Sequence, residues 1–195
     1  MWALRWPAGE NRLQGLGSRK EGRAGRMRAG GGMKVLLQRA RELGAIEAKL
    51  VEPASVVTAA WVRLKCQYGC GGYGSNLCCP PYTPTPDQTR AILDCYRRAI
   101  LVHCKPGADV KKIVVALERE AFLSDHYKAF GFGAGPCGLC RQCNLEACSH
   151  PDQARPAMEA CGIDVYATAR ANGFPIRVVT DYHCDQNYYG LVLID

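Results

Sequence analysis

The sequence lacks any hydrophobic run long enough to cross a membrane. Its longest uncharged apolar stretches, residues 99–102 and 113–117, fall far short of the roughly 20 residues that a membrane-spanning helix needs. The N-terminal region also lacks the apolar segment of a secretory signal peptide. With 48% hydrophobic residues, the chain has enough apolar side chains to fill a core. These features predict a globular, cytoplasmic protein that does not enter a membrane.

The body of the chain also has little excess charge. The sequence carries 25 Lys and Arg against 18 Asp and Glu, a formal net charge of +7. Residues 1–34 hold eight of these cations and only two of the anions, so nearly all of the excess lies there. We therefore expect no nucleic-acid partner, because proteins that bind nucleic acid carry a basic stripe on the folded domain.

Residues 1–32 are basic and glycine-rich, and their apolar residues follow no helical or strand period. We expect a disordered leader here, followed by a single cysteine-rich metal-binding domain over residues 33–195. The run Arg28-Ala-Gly-Gly-Gly-Met33 is what a purine-rich ribosome-binding stretch ahead of a start codon would encode. We therefore expect translation to begin at Met33 or Met27, and the leader to reflect a wrongly assigned start codon.

The spacing of apolar residues predicts that helices and strands alternate along the body. Helices are expected over residues 35–43, from Pro86 behind a Thr85–Gln88 capping box, after Asp109, after Pro156 and after Asp164. Strands are expected at residues 46–51, 99–104, 127–132, 176–180 and 188–194. Residues 66–86, dense in Cys, Gly and Pro, are expected to form an ordered loop. The predicted fold is α/β or α+β, a small mixed sheet with flanking helices and two Cys-rich metal-binding loops.

Twelve cysteines among 195 residues are the strongest functional signal in the sequence. Cys137, Cys140, Cys143 and Cys148 are separated by two, two and four residues. Bacterial ferredoxins use successive Cys-x2-Cys spacings to wrap a loop around a [4Fe–4S] cluster, whereas zinc sites more often use two separated Cys-x2-Cys pairs. The spacing therefore favours iron–sulfur over zinc. Ser149 follows Cys148 where those ferredoxins have proline, which leaves the fourth ligand open.

A second group, Cys66, Cys70, Cys78 and Cys79, lies within fourteen residues that also include four glycines. The radical S-adenosylmethionine pattern is excluded, because Tyr73 stands where that pattern needs a third cysteine. Glycine lets the backbone approach a cluster closely and donate N–H groups to its sulfides. We expect these four cysteines to hold a second metal centre or to complete the first.

Disulfide pairing is an alternative explanation for so many cysteines, but it is not expected without a secretory signal. Cys95, on a predicted helix, and Cys104, at the end of a predicted strand, are expected to be small buried core residues. Cys161 and Cys184 have no assigned role. His150 is expected to be a hydrogen-bonded loop residue.

Several motifs stand in order along the chain. They are Cys66-Gln-Tyr-Gly-Cys70, Tyr73-Gly74, Cys79-Pro-Pro-Tyr82, Gly135-Pro-Cys137, Cys140, Cys143, Cys148-Ser-His-Pro151 and Arg155-Pro-Ala-Met-Glu-Ala-Cys-Gly-Ile-Asp164. Together they resemble the prokaryotic family named domain of unknown function 2284, whose members are described as predicted metal-binding proteins. The resemblance covers about residues 45–195. It implies a cysteine-bound metal and no particular substrate, with ligands among Cys66, Cys70, Cys79, Cys137, Cys140, Cys143 and Cys148.

Three functions remain open on these residues. The first is an iron–sulfur protein with one or two [4Fe–4S] clusters, which transfers electrons to or from a redox partner protein or serves an oxidoreductase as an accessory. Its principal ligands would be Cys137, Cys140, Cys143 and Cys148. The second is a structural or regulatory zinc-binding module, in which the metal holds irregular loops together. The third is an enzyme whose open-coordinated cluster acts on a small molecule.

Overall fold

A four-stranded sheet forms the centre of the computed structural model, which describes residues 29–181 and 183–195. Its strands are β1 (Glu47–Val51), β2 (Ala99–Cys104), β3 (Phe130–Phe132) and β4 (Tyr188–Leu193). They lie in the order β1-β2-β4-β3, and every neighbouring pair is antiparallel. The fold is therefore α+β, one of the two predicted classes, but the sheet is antiparallel where a mixed one was expected.

Five helices flank the sheet. They are α1 (Ala29–Glu42), α2 (Trp61–Gly69), α3 (Pro86–Leu93), α4 (Val110–Leu123) and α5 (Val165–Ala171). Two single 3-10 turns, Pro53–Ser55 and Glu159–Cys161, complete the regular structure of the described residues. None of these helices is long and apolar enough to cross a bilayer. The leader predicted for residues 1–32 lies almost wholly outside the described part of the chain.

Local capping signals place three of the helices. The Thr85 side chain accepts a hydrogen bond from the Gln88 backbone, and the Gln88 side chain accepts one from the Thr85 backbone, which is the predicted capping box. Asp109 caps α4 by accepting from the Lys112 backbone N–H. Asp164 caps α5 by accepting from the Ala167 backbone N–H.

Two sequence predictions about local structure are wrong. Residues 176–180 form no strand, because they follow Pro175 and both edges of β4 are already paired with β2 and β3. Residues 66–86 are not wholly loop, because α2 continues through Cys66 to Gly69. One of the two expected Cys-rich loops therefore begins on a helix.

The strand β2 is buried along its whole length, because both faces of the sheet are covered. Ile100, Val102 and Cys104 face a core shared with α1 and α4. On the opposite face, Leu101 packs in a second core that contains Met158 from the chain just after the downstream cysteines. The burial of Cys104 confirms the prediction for that residue.

The helix α4 lies directly on β4 because Gly190 has no side chain. A Cβ at Gly190 would lie 2.7 Å from Val114 Cγ1 and 2.8 Å from Val110 Cγ1, closer than van der Waals contact allows. The same helix carries the residues that position the cysteine loop described below. The distance of α4 from the sheet therefore also sets the position of that loop.

We expect Gly190→Ala to lower the free energy of unfolding by about 1–3 kcal/mol, since its methyl group would overpack the α4–β4 contact. Urea denaturation at constant metal content measures the change. Gly69→Ala is the control, because a Cβ there meets nothing within 4 Å and Gly69 is the last residue of α2, where alanine is the better helix former. Equal stability of the Gly190→Ala variant and the wild type would contradict the packing.

Candidate metal centre

The downstream cysteines lie on a loop whose two ends meet at its base. Gly133, just after β3, pairs with Ala157 in a parallel bridge. The Gly133 N–H donates to Pro156 O at 2.8 Å, and the Met158 N–H donates to Gly133 O at 3.0 Å. Residues 134–156 therefore leave and rejoin the fold at one point, with all four downstream cysteines between.

Lys111 on α4 fastens the entry of this loop. Its Nζ donates to three successive carbonyl oxygens, those of Ala134 at 2.7 Å, Gly135 at 2.6 Å and Pro136 at 2.7 Å. Desolvation lowers the pKa of Lys111, and the nearby thiols of Cys137, Cys78 and Cys79 act in the opposite direction. One ammonium group thus positions the backbone directly before Cys137 and brings positive charge to the cysteines.

Arg155 fastens the exit of the loop to the same helix. Its Nε and Nη2 each donate to a different carboxylate oxygen of Glu118 at 2.6 Å, and its Nη1 donates to the carbonyl oxygens of Pro151 and Ala154. The Arg155 and Glu118 side chains are only 11% and 14% exposed. A bidentate pair this well buried holds a planar geometry, so the exit of the loop is fixed as firmly as its entry.

Between these two clamps, five thiols line one small cavity. They belong to Cys78, Cys137, Cys140, Cys143 and Cys148. The four downstream cysteines therefore line one cavity together, and the predicted loop histidine His150 lines it too. Cys78, which the sequence grouped with the upstream cysteines, faces this cavity instead. We call these five residues the downstream thiol group.

Cys78 lines the same cavity as the downstream loop. Burial raises the pKa of Cys78 to about 12, and the proximity of the Cys137 and Cys148 thiols acts in the same direction. Desolvation also raises the pKa of Cys140, with Cys143 as its strongest thiol neighbour. The thiols are thus crowded enough to disfavour one another's ionisation, which a bound cation would reverse.

The other three upstream cysteines form a separate set, the upstream thiol group of Cys66, Cys70 and Cys79. Gly72 lies between two of them, since a Cβ there would lie 3.4 Å from Cys79 Sγ and 3.5 Å from Cys70 Sγ. The Gly72 N–H donates to Cys70 Sγ at 3.4 Å. Burial raises the pKa of Cys66, and Cys70 is its strongest thiol neighbour. The glycine backbone thus contacts the sulfurs, as the sequence predicted.

The adjacent residues Cys78 and Cys79 face different groups because a turn at Asn76 fixes them. The buried Asn76 side chain accepts a hydrogen bond from the Cys78 N–H at 3.1 Å, and the Asn76 carbonyl accepts one from the Cys79 N–H at 3.0 Å. Gly74, at a φ of +71°, donates its N–H to Pro80 O at 2.7 Å. The turn is therefore held by its own hydrogen bonds.

A cavity of about 430 Å³ opens beside the upstream thiol group. Its walls are largely aromatic and apolar, and two cationic side chains, Lys65 and Arg177, also line it. Glu159 lies on the wall next to Cys66, whose thiol donates to the Glu159 carbonyl oxygen at 3.8 Å. Desolvation raises the pKa of the Glu159 carboxyl group, although its side chain still reaches solvent through the cavity. Sequence reasoning missed this cavity, because its walls come from distant segments.

The remaining cysteines lie outside both groups. Cys161 is fully buried between them, and burial raises its pKa to about 12. Cys95 is exposed, so the prediction that it is a core residue is wrong. It follows the last turn of α3, on the solvent side of that helix. The Thr180 hydroxyl lies 3.1 Å from Cys184 Sγ and lowers the pKa of that thiol. All twelve cysteines are free thiols.

The cavity of the downstream thiol group is lined by five sulfurs and the imidazole of His150, with no carboxylate among the lining residues. Such soft donors fit zinc or iron–sulfur and do not suit Mg²⁺ or Ca²⁺, which prefer oxygen. Within residues 29–181 and 183–195, no three His, Cys, Asp or Glu side chains already converge in a geometry that holds a single metal ion. The thiols line common cavities without meeting at one point.

The four cysteines outside the thiol groups should differ in their rate of alkylation. We expect iodoacetamide to modify Cys184 first, since its pKa is lowered and the thiolate is the nucleophile. Cys104 and Cys161 should react last, because both are buried and their pKa values are raised to about 11 and about 12. Peptide mass spectrometry after timed labelling of the native protein gives the order. Labelling of Cys104 as early as the exposed Cys95 would contradict this arrangement.

The comparison with known families agrees with this concentration of thiols. The family described as "Predicted metal-binding protein (DUF2284)" matches residues 49–194, which include both thiol groups and the whole sheet apart from the first two residues of β1. No curated protein and no solved structure matches the chain. The chain belongs to the DUF2284 family of predicted metal-binding proteins.

Proposed function

We propose that the protein is a cytoplasmic iron–sulfur protein that transfers electrons. Cys137, Cys140, Cys143 and Cys148 would hold a [4Fe–4S] cluster, and a redox partner protein would deliver or receive the electron. The observation that carries this proposal is the convergence of these four cysteines, with Cys78, on one cavity that no carboxylate lines. When bound, such a cluster accepts or donates a single electron.

The chain supports such a cluster in two ways. The Lys111 and Glu118–Arg155 clamps fix both ends of the ligand loop before any metal arrives, which lowers the ordering cost of binding. The Lys111 ammonium also stays close to the thiols of Cys137 and Cys78. A positive charge at this position stabilises the more negative, reduced form of the centre and so raises its reduction potential.

Metal analysis of anaerobically purified protein tests the proposal. We expect iron and acid-labile sulfide in equal amounts, with a broad absorbance near ~400 nm that bleaches with dithionite, as for the clusters of ferredoxins. Cys140→Ser should abolish most of that absorbance. Cys95→Ser is the matched control and should keep it, because Cys95 is exposed just after α3 and lies outside both thiol groups. Stoichiometric zinc without sulfide would contradict the proposal and favour the structural zinc module.

The reduction potential should depend on Lys111. We expect Lys111→Met to lower it, by an amount on the order of tens of mV, because the variant removes the cation that stabilises the reduced centre. Lys111→Arg keeps the charge and should shift the potential less. A redox titration followed by electron paramagnetic resonance measures the potential.

Lys112→Met is the control for that experiment, since Lys112 is the next residue of α4 and its side chain is exposed. The potential of Lys112→Met should equal that of the wild type. An unchanged or higher potential in Lys111→Met would contradict the electrostatic role given to Lys111.

A further inference from the structure

Beyond the proposed cluster, we propose that the upstream thiol group holds a second metal centre with one position open to the adjoining cavity, and that this cavity binds a small aromatic carboxylate. The inference rests on the proposed function in one respect, because it treats the downstream thiol group as a metal centre of its own. It deepens that function by assigning a substrate class to the protein.

The division of the cysteines is the first argument. Cys78 faces the downstream thiol group, whereas Cys79 belongs with Cys66 and Cys70 and lines the larger cavity. Five thiols thus surround one cavity and three surround the other. A metal centre with only three protein ligands keeps a position for an exogenous ligand, which is the arrangement that distinguishes catalytic from structural sites.

The size and walls of the cavity are the second argument. About 430 Å³ is within the range of small-molecule sites. The rings of Trp61, Tyr73 and Tyr189 and the apolar side chain of Ile163 line it, so a flat apolar body would be well matched. The three thiols themselves line the cavity, so a molecule bound inside it would lie beside a metal that they held.

The unpaired cations are the third argument. Lys65 and Arg177 line the cavity, and neither forms an ion pair with any residue that the structure describes. Of the two carboxylates in the lining, Asp164 caps α5, and neither it nor Glu159 forms an ion pair with these cations. An unpaired guanidinium offers parallel N–H donors that match a carboxylate, and a lysine adds a second charge. The chemistry therefore selects a carboxylate as the polar group of the ligand.

Adjacent cysteines give a matched test of the second centre. We expect Cys79→Ser to lose part of the bound metal and to keep the spectrum of the downstream centre, which shows that the variant folds. Cys66→Ser should behave like Cys79→Ser. Cys78→Ser should keep the metal of the upstream group. Metal content of Cys79→Ser and Cys66→Ser equal to that of the wild type would overturn the second centre.

Binding of benzoate to the purified, metal-containing protein tests the ligand. We expect saturable changes in the absorption and paramagnetic resonance spectra, and a dissociation constant about tenfold or more larger for benzamide, the uncharged molecule of the same shape. Lys65→Gln and Arg177→Gln should each weaken benzoate binding to a similar extent. Lys34→Gln, on α1, is the control and should leave it unchanged.

Each result bears on one of the two proposals. The absence of a saturable response to benzoate, equal affinity for benzamide, or unchanged binding by both cavity variants would overturn the assignment of the cavity. With iron and sulfide still present, the proposed electron-transfer function would stand. Zinc in place of iron would contradict that function, whereas zinc lost in Cys79→Ser and kept in Cys78→Ser would still support the second centre.

Discussion

The cysteine loop depends on two polar contacts from one face of α4. Lys111 and Glu118 are seven residues apart, which is two helical turns, so both side chains project from the same side of the helix. Lys111 donates to the carbonyl groups at the start of the loop, and Glu118 pairs with Arg155 at its end. The adjacent face of α4, which carries Val110 and Val114, is buried against β4, where Gly190 permits close contact. The antiparallel sheet therefore determines where the thiols lie, although none of the proposed ligands belongs to the sheet.

Cys78 and Cys79 are adjacent in the chain but belong to different thiol groups, so one peptide bond links the two groups. Asn76 holds the backbone N–H of both residues, through its side chain and its carbonyl group. Their side chains consequently point to different cavities while only one peptide bond separates them. The Lys111 ammonium lies near thiols of both groups and so interacts electrostatically with each. The arrangement suits a protein in which one centre supplies electrons and the other meets a small molecule.

Local sequence signals predicted much of the fold. The caps at Thr85, Asp109 and Asp164 act within four residues, so their helices begin where the sequence indicates. The spacing of the downstream cysteines places them on one short loop, and they line one cavity; their role as metal ligands stays a prediction. The predictions failed where distant segments decide the outcome. Residues 176–180 have the composition of a strand, but no edge of β4 is free to pair with them. Cys78 belongs to the downstream and not the upstream thiol group because of a loop that begins some sixty residues later in the chain.

The two hydrophobic cores contain no cysteine of either thiol group. The cysteines that they do contain are Cys104, on β2, and Cys161. Side chains of α4 hold both ends of the downstream loop, and Cys78 lines the same cavity as Cys137. Burial raises the pKa values of the Cys78 and Cys140 thiols, and neighbouring thiols act in the same direction. A bound cation would supply the positive charge that favours their thiolates. A metal at this site would therefore bind a loop that the fold itself holds in place, whereas small zinc domains fold only around the metal.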